Sequence, residues 1–193
     1  NFYFFKGIYH KYRPTISKIR FEYSKELFNL GLVFFVIQFA NILQFQTANI
    51  IIARNFSTDD VTSYNIVYKY FAVLNMIFMI FLTPFWSAST EAFNKNDIQW
   101  IKNGIKKYNQ LNILMILVGL LMLMFSGTVY RLWIGEGKVK IDFLLSFFGF
   151  LFFNTSIYGG KYVSFLNGIS ALRIQFIACI LSPFLYIASA LVL

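Results

Sequence analysis

Five long runs of uncharged, mostly apolar residues dominate the chain. They cover residues 27–53, 70–90, 108–130, 143–160 and 174–193. About 20 helical residues cross the hydrocarbon layer of a bilayer, and the runs lack the alternation of polarity that is typical of membrane β-strands. The pattern predicts an all-α, polytopic transmembrane helix bundle, with about five complete spans at 28–54, 62–86, 109–132, 141–167 and 174–193.

Two connecting segments have patterns of their own. In residues 91–108, Ile98, Ile101 and Ile105 recur on one side of a helix, with Lys102 and Lys106 on the other. This spacing predicts an amphipathic helix that lies in the cytoplasmic interface of the membrane. Residues 1–27 are expected to form a basic cytoplasmic connection that follows a partial helix at 1–5. Because both ends of the chain are apolar, we expect a fragment of a longer protein.

Composition and charge agree with a membrane protein. Hydrophobic residues make up 58% of the 193 residues and charged residues only 13%, whereas soluble domains carry about 25% charged residues. The net charge of +9 resides in the connections, not on a soluble face, so membrane lipid and not nucleic acid is the expected partner. The segment before the first span is basic and the loop 55–65 is acidic. By the positive-inside rule, the N-terminus is therefore expected in the cytoplasm.

The residues needed for catalysis or metal binding are scarce. The chain has one histidine, His10, in a basic connection, and one cysteine, Cys179, inside the last apolar run. The acidic residues are spread over the connections, so no pair of carboxylates is expected within a span. We therefore expect no enzyme activity, no metal site and no cofactor.

Polar residues within the first two spans are the candidate substrate-cavity residues. They are Lys69, Asn65, Gln38, Asn41, Gln46 and Asn49. An ammonium inside a span costs about 2.5–3.5 kcal/mol at the bilayer centre, which favours a water-filled cavity for Lys69, although snorkelling to the interface is the alternative. The amides could contact sugar hydroxyls, or they could hold helices together by hydrogen bonds.

Several stretches of the chain resemble Wzx-type polysaccharide flippases, which belong to the multidrug/oligosaccharidyl-lipid/polysaccharide exporter superfamily. The stretches are residues 31–38, 49–53, 61–65, 84–92, 97–101 and 125–135. The resemblance implies a larger two-bundle transporter, of which this chain is the start of the second half and lacks the first half. It implies translocation of an undecaprenyl-pyrophosphate-linked oligosaccharide across the bacterial inner membrane, and Lys69 suits the handling of the pyrophosphate.

Other functions remain open at the level of sequence. A drug/cation antiporter of the same superfamily would favour an acidic residue in a span, and the apolar runs contain none. A membrane-bound polysaccharide polymerase or acyltransferase would need catalytic residues at the outer face, where only Arg131 is close. A structural subunit without a substrate is a further alternative.

Overall fold

The computed structural model describes residues 20–192 together with Tyr9 and Thr15. Helices make up 88% of these residues, and no strand occurs among them. A 3-10 turn, Phe21–Tyr23, precedes five α-helices: α1 (Ser24–Asn55), α2 (Thr58–Asn94), α3 (Ile98–Ile134), α4 (Phe143–Gly168) and α5 (Arg173–Val192). Judged by length and composition, all five described helices can cross a bilayer. The predicted all-α, polytopic fold is confirmed.

The chain divides into two compact units, Asn1–Val36 and Ile37–Leu193. In the first unit two hydrogen bonds join residues that are close in sequence. Arg20 Nη1 lies 3.3 Å from Glu22 Oε1, and the Ser24 hydroxyl donates to the Phe21 carbonyl over 2.5 Å. The partial helix expected at 1–5 and most of the basic connection 1–27 lie outside the described residues.

The core of the second unit is formed by α2, α3 and α4. Buried residues of α2 recur every three or four positions, which places them on one face of the helix. They pack in one cluster with buried residues of α3 and α4: Val67, Phe71, Leu74, Phe78, Leu82, Phe85, Met115, Leu123, Tyr130, Phe150, Phe153 and Ile157. A Cβ on Gly149 of α4 would lie only 2.6 Å from Val67 Cγ1. The glycine thus allows α4 to approach α2 closely.

Side-chain oxygens near the N-termini of three helices accept hydrogen bonds from backbone amides. The Ser57 hydroxyl accepts from the Asp60 amide, and the Asp60 carboxylate accepts from the Ser57 amide, which forms a capping box at the start of α2. Asp97 accepts from the Trp100 amide at the start of α3, and Asp142 accepts from the Leu144 amide at the start of α4. These carboxylates satisfy amides that the helix itself leaves free.

The expected separate helix at 91–108 is not present, and this prediction is corrected. Residues 91–94 end α2, and residues 98–108 begin α3. The chain turns between them at Asn96, which has a φ of 57°, and Asp97 then caps α3. Ile101 is buried, and Ile105 packs against the core cluster. Two of the three isoleucines therefore pack within the protein, whereas Ile98 is exposed. A position of this segment in the membrane interface stays a prediction.

The topology can be tested by labelling single cysteines in a Cys179→Ala background. Asp59 lies in the first turn of α2 and Lys102 lies beyond its other end, and both residues are exposed. We expect Asp59→Cys to react with an impermeant maleimide from outside the cell, and Lys102→Cys to react only after permeabilisation. The reverse pattern would invert the orientation without changing the number of helices.

Candidate functional site

The six candidate cavity residues do not form one cluster. Asn49 of α1 and Asn65 of α2 contact each other, and Asn41 lines a cavity. Gln38 and Gln46 are exposed side chains of α1, and neither lines that cavity. The structure thus brings together one pair of the predicted residues and separates the others.

The Asn49–Asn65 pair joins α1 to α2. Asn65 Nδ2 donates to Asn49 Oδ1 over 2.7 Å and to the Val61 carbonyl over 2.8 Å. Asn49 Nδ2 donates to the Phe45 carbonyl over 3.1 Å. Both amides therefore have protein partners, as expected of polar residues that join helices in a membrane. Their presence in the spans is accounted for without a ligand.

Lys69 lies on the side of α2 that faces away from the core. It follows Val67 by two residues and precedes Phe71 by two, so it lies about 200° around the helix from each of these buried residues. Its side chain is exposed, and no hydrogen bond or ion pair links it to another described residue. The Lys69 ammonium therefore does not contribute to the packing of α2 against α3 and α4.

A cavity of about 740 Å³ lies among α1, α2, α4 and α5. We call it the polar cavity because amide and hydroxyl groups line it, from Asn41, Gln44, Tyr64, Asn75, Ser156 and Tyr186. Aromatic rings complete the wall: the Tyr68 ring lies 4.8 Å from that of Phe45 and 5.1 Å from that of Phe153, centroid to centroid. None of the described residues that line this cavity is charged.

Lys161 of α4 is a functional candidate that the sequence analysis missed. Its side chain is 0% exposed, and its Nζ donates to Asn112 Oδ1 of α3 over 2.6 Å. The ammonium also lies 3.6 Å from the centre of the Tyr158 ring and 4.9 Å from that of Tyr162. In the described part of the chain no acidic side chain pairs with it. An amide oxygen and two aromatic faces thus hold the buried cation.

The spacing of α4 contained a signal for this position. Its buried residues Ser146, Phe150, Phe153, Ile157 and Ser164 recur every three, four or seven positions. Lys161 falls four residues after Ile157 and three before Ser164, on the same face. Lys161 lies near the end of the predicted span 141–167, and a lysine near the end of a span can usually reach the interface.

Asn112 also has an unused donor. Its Nδ2 is buried and has no hydrogen-bond partner among the described residues. Because Oδ1 faces Lys161 Nζ, the amide is oriented by the cation, and the unpartnered NH2 follows from that orientation. The contact between Lys161 and Asn112 is therefore electrostatically favourable, but it leaves the buried NH2 group of Asn112 without a hydrogen-bond partner in the α3–α4 interface.

The described residues contain no cluster of three or more His, Cys, Asp or Glu side chains that could hold a metal ion. The polar side chains in the middle of the helices include amides, hydroxyls, phenols and the ammonium groups of Lys69 and Lys161, which bind neutral or anionic ligands by hydrogen bonds and charge. Comparisons with protein-family models, with curated proteins and with solved structures found no match for this chain.

Proposed function

We propose that this chain is part of a transporter that moves an undecaprenyl-pyrophosphate-linked oligosaccharide across the bacterial inner membrane. The observation that carries the proposal is the polar cavity, an uncharged space among membrane-spanning helices whose lining offers amides and hydroxyls. The transport of a preformed lipid-linked sugar needs no covalent chemistry. It needs a site that replaces water around a hydroxyl-rich headgroup while the lipid tail stays in the bilayer.

The polar cavity has the groups that a sugar requires. Asn41 and Asn75 each offer a donor and an acceptor, and the rings of Tyr64 and Tyr68 offer apolar faces for the C–H side of a sugar. Its volume of about 740 Å³ lies within the range of about 300–1,000 Å³ that is usual for ligand sites. The lack of charge suits a neutral glycan.

Lys69 supplies the charge that a pyrophosphate would need. It is exposed on the side of α2 opposite to the α3–α4 core. In the proposed two-bundle transporter this side faces the other bundle, so the cation lies in the space between the bundles. Alternating access would then move the packed α2–α3–α4 core as one body relative to the other bundle.

The aromatic lining of the polar cavity favours a second candidate, export of an organic cation. The rings of Phe45, Tyr68, Phe152 and Phe153 are packed side by side, and such rings attract cations. A drug/cation antiporter would also favour an acidic residue deep in a span to carry the coupling ion. In the described helices, the acidic residues lie near the helix ends.

The proposal is tested with the full-length protein in proteoliposomes that contain a fluorescent lipid-linked oligosaccharide. Asn41→Leu combined with Asn75→Leu removes two amides from the polar cavity, each worth about 0.5–1.5 kcal/mol if it binds the sugar. We expect the flipping rate to fall by about tenfold or more. The rate is measured by the accessibility of the fluorophore to a reducing agent added outside.

Asn94→Leu combined with Asn109→Leu is the matched control. These two asparagines are exposed and do not line the polar cavity. Their replacement should leave the rate within about twofold. Equal rates in the two double variants would contradict a sugar site in the polar cavity, and transport of an organic cation instead of the lipid would favour the second candidate.

A further inference from the structure

A second cavity, of about 510 Å³, lies between the end of α2 and the start of α3. Its polar lining comes from one helix, with Asn103, Lys106, Lys107 and Gln110 on α3. Its apolar lining includes Phe85 and Trp100, whose rings are stacked with centroids 6.1 Å apart and planes 14° from parallel. We call it the lysine cavity. It is separate from the polar cavity, with which it shares no lining residue.

The two lysines of this cavity have no acidic partners. No ion pair links Lys106 or Lys107 to another described residue. The acidic residues that precede them in this part of the chain are engaged elsewhere, since Glu91 Oε1 pairs with Lys95 Nζ over 2.5 Å and Asp97 caps α3. Two unneutralised cations beside one cavity favour an anionic ligand.

The walls of the lysine cavity are formed by the fold itself. The Tyr108 hydroxyl of α3 donates to the Phe81 carbonyl of α2 over 2.6 Å, which joins the two helices beside the cavity. A Cβ on Gly104 would lie 2.8 Å from Phe85 Cε2. Glycine is thus required for Phe85 to lie beside α3, and the cavity exists without a ligand.

The position of the cavity along α3 indicates the kind of anion. Lys102, Lys106 and Lys107 come directly before the uncharged run 108–130. The cavity therefore lies where α3 passes from charged to apolar sequence, which is the headgroup region of a bilayer. Partly exposed tryptophan is typical of this level, and Trp100 is partly exposed.

From these observations we infer that the lysine cavity binds the headgroup of an anionic phospholipid. The phosphate contacts Lys106 and Lys107, the glycerol hydroxyls contact the amides of Asn103 and Gln110, and the first methylenes lie against the Phe85 ring. Basic pockets between membrane helices bind acidic lipid headgroups in this way. The inference concerns a lipid of the surrounding bilayer and does not depend on the proposed transport function.

The inference is tested by native mass spectrometry of the purified protein in detergent, titrated with phosphatidylglycerol or phosphatidylcholine. We expect one phosphatidylglycerol to be retained per chain, and phosphatidylcholine to bind at least tenfold more weakly. Lys106→Gln combined with Lys107→Gln should raise the dissociation constant for phosphatidylglycerol about 30-fold, since each lysine contributes about 1 kcal/mol.

Lys102→Gln is the control, because Lys102 is exposed on the same part of α3 and does not line the cavity. It should change the dissociation constant less than about threefold. Equal binding of the two lipids, or an equal loss in Lys102→Gln, would overturn the inference. Displacement of the lipid by millimolar inorganic phosphate would also overturn it, because it would show a site for the free anion. Circular dichroism of each variant checks that the Lys→Gln changes leave the fold intact.

Discussion

Replacing Asn112 with leucine is expected to lower the free energy of unfolding by about 3 kcal/mol. The change removes the oxygen that Lys161 Nζ contacts over 2.6 Å, while the ammonium stays at 0% exposure within α4. The Lys161 ammonium is then still buried, which is unfavourable, and it no longer has its hydrogen bond to residue 112. The measurement is unfolding of the purified chain in bicelles, followed by tryptophan fluorescence.

A double-mutant cycle separates this charge effect from simple loss of packing. Lys161→Met keeps an unbranched side chain of similar length and removes the charge, so Lys161→Met added to Asn112→Leu should restore at least about 1.5 kcal/mol. Asn154→Leu is the matched control, because Asn154 donates to the Phe150 carbonyl of its own helix and lies about 10 Å along α4 from Lys161. Lys161→Met should not rescue it. Equal stability of Asn112→Leu with and without Lys161→Met would contradict the electrostatic explanation.

The positions of the helices could be predicted because length and uncharged composition decide which segments cross a bilayer. The observed α1 and α5, Ser24–Asn55 and Arg173–Val192, begin and end within a few residues of the predicted spans. The ends of the helices in the middle of the chain are harder to predict from the sequence. α2 continues to Asn94, beyond the expected end at 86, because nothing in the sequence between Trp86 and Asn94 breaks a helix.

The junction between α2 and α3 shows why an amphipathic pattern is ambiguous. An apolar stripe fits the membrane interface and fits packing on another helix equally well. Here Ile101 is buried and Ile105 contacts the core, and the tight turn at Asn96 brings the segment back onto α2. Whether the apolar stripe packs on α2 or lies in the membrane interface depends on that turn. Helical periodicity alone does not predict the turn.

The candidate site was predictable only in part, for a similar reason. Polar residues in spans can be recognised one by one, because each would be costly against lipid. Which of them meet depends on how helices pack: Asn49 lies beside Asn65, while Asn41 lines a cavity with Asn75 and Tyr186 from other helices. Lys161 was missed because its burial depends on α3, which supplies Asn112.

Lys69→Ala in the full-length protein is expected to lower export of surface polysaccharide at least about tenfold at normal protein levels. The expected loss follows from the proposed contact of the ammonium with pyrophosphate, since hydrogen bonds to charged groups contribute about 1.5–3 kcal/mol. Lys69 is exposed on the side of α2 away from the core and has no partner among the described residues, so its removal should not disturb packing.

The positive charge at position 69, and not the alkyl part of the side chain, should decide whether export is retained. Lys69→Arg should therefore retain export, and Lys69→Glu should lose it as Lys69→Ala does. Lys138→Ala, which removes an exposed lysine from the loop between α3 and α4, controls for the loss of one positive charge and should export normally.

If Lys69 only snorkels to the interface, removing its charge should be harmless or should ease insertion, because the cost of placing an ammonium in the span disappears. Polysaccharide at the surface is measured together with membrane-inserted protein, so that a transport defect is distinguished from a folding defect. Full export by a well-expressed Lys69→Ala protein would contradict a role for Lys69 in transport and leave the polar cavity as the remaining substrate site.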